Sequence, residues 1–352
     1  MIDIGVYYTI IIHNSSINEK TVIFQLRKIH LLMDTAFPFS IPAKLYAFLL
    51  KLRPLTEGTL MPFNGELVHG AWLNWLGSAA PDVATWLHEG NKRRLFTCSS
   101  LQFPLPSEKM LEVERHNIHW PLSPEKTYTI RVTLLLGELF PLFHKALTDF
   151  TRTNTTARVK PPFMRLGKQS LLLEEVILEN NDPTGWTGFT SFADMVEAAR
   201  ARKFGKAVPM RLEFASITSF NRGNAKNREY GNYSALLPLP HYVFGYLAKR
   251  WGELAPPDLA NLVQRDAIER YVQDEGVIID DYNLRPHTVK FTTHWQQGFI
   301  GTCKYLLRGP DDPTTEEAPL TVRQQMLLLG QLAFFSGAGY KTAMGMGRTR
   351  QI

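Results

Sequence analysis

Along residues 43–54 (AKLYAFLLKLRP) apolar side chains dominate while Lys51 and Arg53 alternate outward, which predicts a strand with one polar-edged face. Residues 66–78 (ELVHGAWLNWLGS) change period: Val68, Ala71, Trp72, Trp75 and Leu76 form a broad stripe on a helix. Pro81 opens a second short helix, PDVATWLHE, which Gly90 stops. A short strand entered by Arg93 and Arg94 follows, then a strand over 126–136. A helix over about 138–151 turns Leu139, Leu142, Phe143 and Leu147 inward, and a strand over 170–178 closes the set.

Residues 181–207 read as a linker or insertion, polar and turn-rich at first (NNDPTGWTGFTSF) and then a short Ala- and Arg-bearing helix. Beyond it the pattern returns. Residues 210–219 predict a strand, 240–254 a helix with Val243, Phe244 and Leu247 inward, 276–290 and 299–307 two strands, and 320–335 a last helix before a glycine-rich turn and a final strand. Strand, helix, strand, strand, helix, strand is the ferredoxin-like order also used by RNA-recognition domains. The fold class expected is therefore α+β, with tandem ferredoxin-like (RRM-like) βαββαβ domains at 41–180 and 208–352. Repetition lies in element order and not in residues. The first forty residues read as an extension, with Met33 a candidate initiator.

A length of 352 residues suits two such domains, and 44% hydrophobic with 20% charged residues excludes a disordered chain. A net charge of +6 favours a polyanionic partner such as nucleic acid. Two cysteines, Cys98 and Cys303, far apart in sequence, give neither a disulfide framework nor a cysteine zinc site, in keeping with a reducing cytoplasm. The opening MIDIGVYYTIIIH carries Asp3, lacks a basic start and is too short to span a bilayer, so neither signal peptide nor membrane association is expected.

Two segments carry candidate binding chemistry. The tail places Gly337, Gly339, Gly345 and Gly347 in the spacing GxGx5GxG, with Lys341, Arg348 and Arg350 around them. Such a turn can bring backbone N–H groups close to a phosphate, but it follows a helix, whereas Walker and dinucleotide loops precede one. A tight connection into a final strand is the plainer alternative. The second segment, SFNRGNAKNREYGNYS, interleaves Arg222, Lys226 and Arg228 with Tyr230 and Tyr233, a composition that can hold phosphates and stack bases.

The tail FFSGAGYKTAMGMGR resembles the signature glycine-rich loop of the CRISPR-associated endoribonucleases that cut precursor crRNA within its repeats, the Cas6 family of the RAMP superfamily. The segment PDVATWLHEGNKRRLFTCS resembles that family's other recurrent block. Together with the doubled fold, the resemblance spans roughly residues 43 to 352. It implies metal-independent cleavage, without a cofactor, in which the 2′-OH beside the scissile bond attacks the phosphate to give 2′,3′-cyclic phosphate and 5′-OH ends. The implied partner is CRISPR repeat RNA in precursor crRNA. Interference-complex subunits and a second copy of the chain are further candidates.

That chemistry needs a proton acceptor for the 2′-OH, a donor for the leaving 5′-oxygen and positive charge for the phosphorane. The resemblance places the family's catalytic histidine at His88, where a helix C-terminus suits a general acid or phosphate stabiliser. It places the following cation at Arg94, a stabiliser more than an acid. Lys92 and Arg93 stand close enough to substitute or to bind RNA. Where some members carry a tyrosine this chain has Leu73, which puts a three-residue triad in doubt. His69, on the same helix as Leu73, is the rival for the catalytic role; a half-buried structural histidine beside Trp72 is its alternative reading. His116 and His119 form an HxxH without further ligands, so no metal site is expected. In this frame the glycine loop becomes an RNA-backbone and interdomain element. A non-catalytic RAMP-type crRNA-binding subunit is the alternative function.

Overall fold

The computed structural model describes residues 8–11, 44–89, 95–105, 107–152, 163–180, 182–222, 233–309, 313–315 and 318–352. The first unit comprises β1 (Tyr8–Ile11), β2 (Lys44–Pro54), β3 (Gly58–Leu60), α1 (Gly65–Ala79), α2 (Pro81–Glu89), β4 (Phe96–Cys98), α3 (Ser107–Arg115), β5 (Trp120–Leu122), β6 (Tyr128–Leu134), α4 (Leu139–Arg152), β7 (Phe163–Leu166), β8 (Gln169–Leu178) and β9 (Gly188–Ser191). Its antiparallel sheet runs β1-β8-β2-β6-β4, with β7 on β8 and β9 on β2. Phe48 pairs with Val132 on one side of β2, and Leu50 with Val176 on the other.

Flanked on both sides, β2 buries Leu45, Ala47, Phe48, Leu49, Leu50 and Leu52. Lys51 and Arg53 point outward as the alternation requires, onto Glu175 (2.6 Å) and Glu174 of β8. The stripe of α1 covers this sheet. Trp72 lies fully buried within 5.0–6.4 Å of the rings of Phe48, Phe96 and Phe143, the last supplied by α4. Such clustered aromatics contribute large apolar area and favourable ring geometry. Of the four residues expected inward on α4, Leu139, Phe143 and Leu147 are buried and Leu142 packs half-buried against them.

The second unit comprises α5 (Phe192–Arg200), β10 (Ala207–Thr218), β11 (Phe220–Arg222), β12 (Tyr233–Ala235), α6 (Pro240–Leu254), the single turn α7 (Pro257–Ala260), α8 (Arg265–Gln273), β13 (Val277–Lys290), β14 (Trp295–Arg308), β15 (Pro313–Thr315), β16 (Ala318–Thr321), α9 (Val322–Ser336), a 3₁₀ turn (Thr342–Met344) and β17 (Thr349–Gln351). Its sheet order, β13-β14-β10-β17, repeats the order β4-β6-β2-β8 of the first unit. Both units are thus the expected ferredoxin-like fold.

The segment expected as a linker or insertion is built into both units, and its short helix forms as α5. β9 pairs with β2, and a reciprocal capping box between Ser191 and Asp194 starts α5. Phe192, Met195, Val196 and Ala199 of α5 are buried in one core with Leu45 and Ala47 of β2 and with Val243 and Leu247 of α6. α9 is buried nearly all round, as a helix clasped between two units must be. At its N-terminal end Arg323 Nη1 donates to Gly205 O (2.6 Å), and at its C-terminal end Thr133 Oγ1 of β6 donates to Phe335 O (2.8 Å).

In the extension, β1 pairs with β8 and forms an edge of the sheet, Tyr8 opposite Leu178. Met33 lies outside the described residues. Among the described residues no helix is long and apolar enough to cross a membrane.

Candidate nucleic-acid interface and cleavage site

The glycine-rich turn is the joint between the units. Gly337, Gly339, Gly345 and Gly347 all have positive φ (65°, 90°, 93° and 72°), which side chains tolerate poorly. Their packing forbids a side chain as well: a Cβ on Gly347 would sit 2.3 Å from Ala338 O, and one on Gly339 2.4 Å from Ser219 O. On the first-unit side Gly345 N donates to Cys98 O (2.9 Å). On the second-unit side Tyr340 N donates to Ser219 O (2.8 Å) and Gly347 N to Ile217 O (2.9 Å).

This corrects the phosphate-cradle expectation. The amides of Gly337, Gly345 and Gly347 donate to protein carbonyls, so they do not line an anion nest; the glycines allow close backbone approach between two domains.

Arg348 and Arg350, expected as RNA-positioning cations, both have protein partners. Arg348 donates to Gln102 Oε1 (3.0 Å) and Ala215 O (3.4 Å), and Arg350 to Glu213 (2.6 Å) and Gly185 O (3.0 Å). Both guanidinium groups lie against the indole of Trp186, at 4.6 and 4.3 Å, and the buried Arg131 joins them at 5.3 Å. Burial pulls Arg348 down to about 10, Glu213 opposing and Arg350 reinforcing the shift. Arg131 is held well below the usual arginine range by burial and by its two arginine neighbours. Its Nε and Nη2 donate to Trp186 O (2.7 Å) and Phe334 O (2.8 Å). These arginines are struts between units.

Lys341, half-buried like Arg348 and Arg350, rests on an aromatic ring and a histidine. Its own φ is 54°, its Nζ stands 3.7 Å from the Phe291 ring centroid and 3.1 Å from His294 Nε2, and it remains partly exposed at the seam. Glu66, in the first turn of α1, accepts hydrogen bonds from Thr292 N (2.8 Å) and Thr292 Oγ1 (2.6 Å). Burial would raise that carboxyl, but the Thr292 bonds, with Lys341 and His294 nearby, bring it below the ordinary glutamate value. His294 and Thr292 were missed in sequence because 291–298 fell between the two expected strands; the basic and aromatic run Lys290-Phe-Thr-Thr-His-Trp295 was the available signal.

His69 faces the same turn. Its Nδ1 lies 3.0 Å from Ala343 O, and its ring stacks on Phe96 at 5.4 Å. A carbonyl only accepts, so Nδ1 carries the proton and Nε2 of the neutral ring is an acceptor. That tautomer suits a general base. His88 is exposed in the last turn of α2, which Leu87 anchors in the core. Leu73 is itself a core residue of α1. Lys92, Arg93, Arg94, Lys226 and Arg228 lie outside the described residues, as does the side chain of Arg222. Both cysteines are buried, and burial pushes the Cys303 thiol up to about 11. No His, Cys, Asp or Glu cluster able to hold a metal ion occurs among the described residues.

Two family models match the chain. Residues 44–197 match the model described as the CRISPR Cas6 N-terminal domain, and residues 212–349 match the CRISPR-associated endoribonuclease Cas6. No curated protein matches in sequence. Among solved structures, a Cas6 product complex is 24% identical with a TM-score of 0.62 over 88% of this chain and 100% of that one. Thermus thermophilus Cas6 is 24% identical with a TM-score of 0.56 over 89% and 100%. A second Cas6 product complex is 20% identical with a TM-score of 0.56 over 88% and 99%. At these identities the likeness is one of fold.

Proposed function

The chain belongs to the Cas6 family of CRISPR-associated endoribonucleases, and on that premise we propose that it cuts CRISPR repeat RNA in precursor crRNA by metal-independent attack of the 2′-OH. The observation that carries this reading is an exposed histidine, His88, on a helix whose preceding residue is locked in the core. An imidazole held on a fixed backbone yet open to a large substrate is the arrangement proton transfer to a leaving oxygen needs. Arg94 supplies charge to the phosphorane, and Lys92 and Arg93 hold neighbouring phosphates. His69, with Nε2 as acceptor, takes the 2′-OH proton. RNA arrives over Lys341 and the basic loop carrying Arg222, Lys226 and Arg228.

A second reading is a crRNA-binding RAMP subunit without cleavage. It is favoured by Leu73, which is buried and offers no phenol where some family members have one. Incubating the protein with repeat RNA in EDTA decides between them. Cleavage at an undiminished rate with 2′,3′-cyclic phosphate and 5′-OH ends is expected; intact RNA that stays bound would favour the second reading, and 3′-OH ends would remove the 2′-OH mechanism.

Lys341→Ala should weaken repeat binding. Removing one phosphate-neutralising cation reduces the slope of log K against log salt by about 0.7 on single-stranded RNA. A titration at several salt concentrations reads this directly, and an unchanged slope would remove Lys341 from the interface.

A further inference from the structure

The tip of the β13–β14 hairpin carries charge and aromatic surface that the cleavage chemistry does not use. Lys290 pairs with Trp295 at the end of the ladder, and Phe291 N donates to His294 O (2.8 Å) to close the turn. Phe291 is the buried plug beneath it, edge-on to Phe63 at 5.0 Å and stacked with the His294 ring at 5.1 Å. On this plug rest Lys341 and His294, 3.1 Å apart. An ammonium group only donates, so His294 Nε2 accepts and its Nδ1–H points to Thr293 Oγ1 (3.1 Å). Beside them Trp295 is 50% exposed, with Lys290 Nζ 5.6 Å from its ring centroid, and Tyr340 is 37% exposed. The carboxylate of Glu66, which accepts from Thr292, keeps its charge near Lys341 and His294.

We propose that this hairpin tip is a second RNA contact, outside the cleavage site, that holds one nucleotide of a single-stranded stretch of the repeat, with its phosphate on Lys341 and its base on Trp295. The inference rests on the proposed function and extends it from Lys341 to Trp295, which that function leaves without a role. An ammonium group donates to a phosphate, and the exposed indole gives any base a face to stack on. Lys341 lies two positions before Ala343, whose carbonyl holds His69, so a strand on the hairpin tip continues onto the α1 surface.

The test is binding of repeat RNA made wholly with 2′-O-methyl riboses, which lacks the attacking hydroxyl, to the full chain by fluorescence anisotropy. Trp295→Ala should raise Kd by about five- to a hundredfold, the range of one lost stacking contact, and Trp295→Phe should stay within about threefold of wild type. A Trp295→Ala Kd within about twofold of wild type, against wild-type binding that is itself tight, overturns the subsite and leaves the proposed function standing. Wild-type protein that does not bind the repeat overturns both. A Trp295→Ala protein that binds normally but cleaves unmodified repeat slowly at saturation also overturns the subsite, since Trp295 would then belong to the chemistry.

Discussion

His88→Ala is expected to lower the single-turnover rate of repeat cleavage by about 10²- to 10⁴-fold, the usual contribution of a positioned acid or base. Binding of the repeat should persist. The side chain is exposed and the helix is anchored by Leu87, so the substitution removes a reacting group without opening the core. Its cost in stability should stay within about 0.5 kcal/mol. His69→Ala separates chemistry from structure less cleanly, because it also deletes the bond to Ala343 O and the stack on Phe96. Losing that bond costs about 1–3 kcal/mol if the carbonyl is left unsatisfied. Should the two histidines act as a pair, the double variant will be little slower than the worse single one. Wild-type rates in His88→Ala would take the assignment away from α2. Loss confined to His69→Ala, with an unchanged melting profile, would move the chemistry to α1.

Much of the fold was legible because its main elements carry strong local signals. β2, α1 and the Pro240-led helix α6 declare themselves by alternation, an apolar stripe and a proline at the first helical turn. What stayed hidden depends on partners distant in sequence. Arg350 reads as an exposed cation until Glu213, 137 positions earlier, folds beside it, and Arg348 until Gln102, 246 positions earlier, accepts its guanidinium. Segment 181–207 looks like a linker or insertion because it opens on a polar, turn-rich run, yet four apolar residues from the end of that run onward bury α5 against residues of both units. The site divides in the same way. His69 and His88 were visible as chemistry, whereas the pairing of His294 with Lys341 requires a hairpin and a loop 47 positions apart to meet.

Gly65→Ala should be among the most disruptive single-atom additions in the chain. Gly65 opens α1 opposite the glycine turn, and a Cβ there would lie 2.1 Å from Met344 O, 2.4 Å from its carbonyl carbon and 2.7 Å from Gly345 N. All three are backbone atoms, so no rotamer change relieves the clash. The turn cannot simply retreat, since Tyr340 N and Gly347 N tie it to Ser219 and Ile217 of the second unit. Nor can the start of α1 move freely, because Asn64 Oδ1 accepts from Leu101 N (2.8 Å) and its amide donates to Met61 O (3.0 Å). Overpacking of this kind costs about 1–3 kcal/mol where neighbours can shift, and the pinned backbone puts Gly65 at the upper end. The thermal midpoint should fall by roughly 3–6 °C for a chain of this size. Gly70→Ala is the internal control: it lies in the same helix, its Cβ would meet nothing within 4 Å, and it should stabilise α1 by about 0.5–1 kcal/mol. Opposite signs from two identical substitutions five residues apart would identify the seam, and not helix propensity, as the cause. The same displacement would carry Ala343 O away from His69, so Gly65→Ala should also slow cleavage in proportion to the role His69 plays. A Gly65→Ala protein that melts and cuts like wild type would show that the seam does not fix the site.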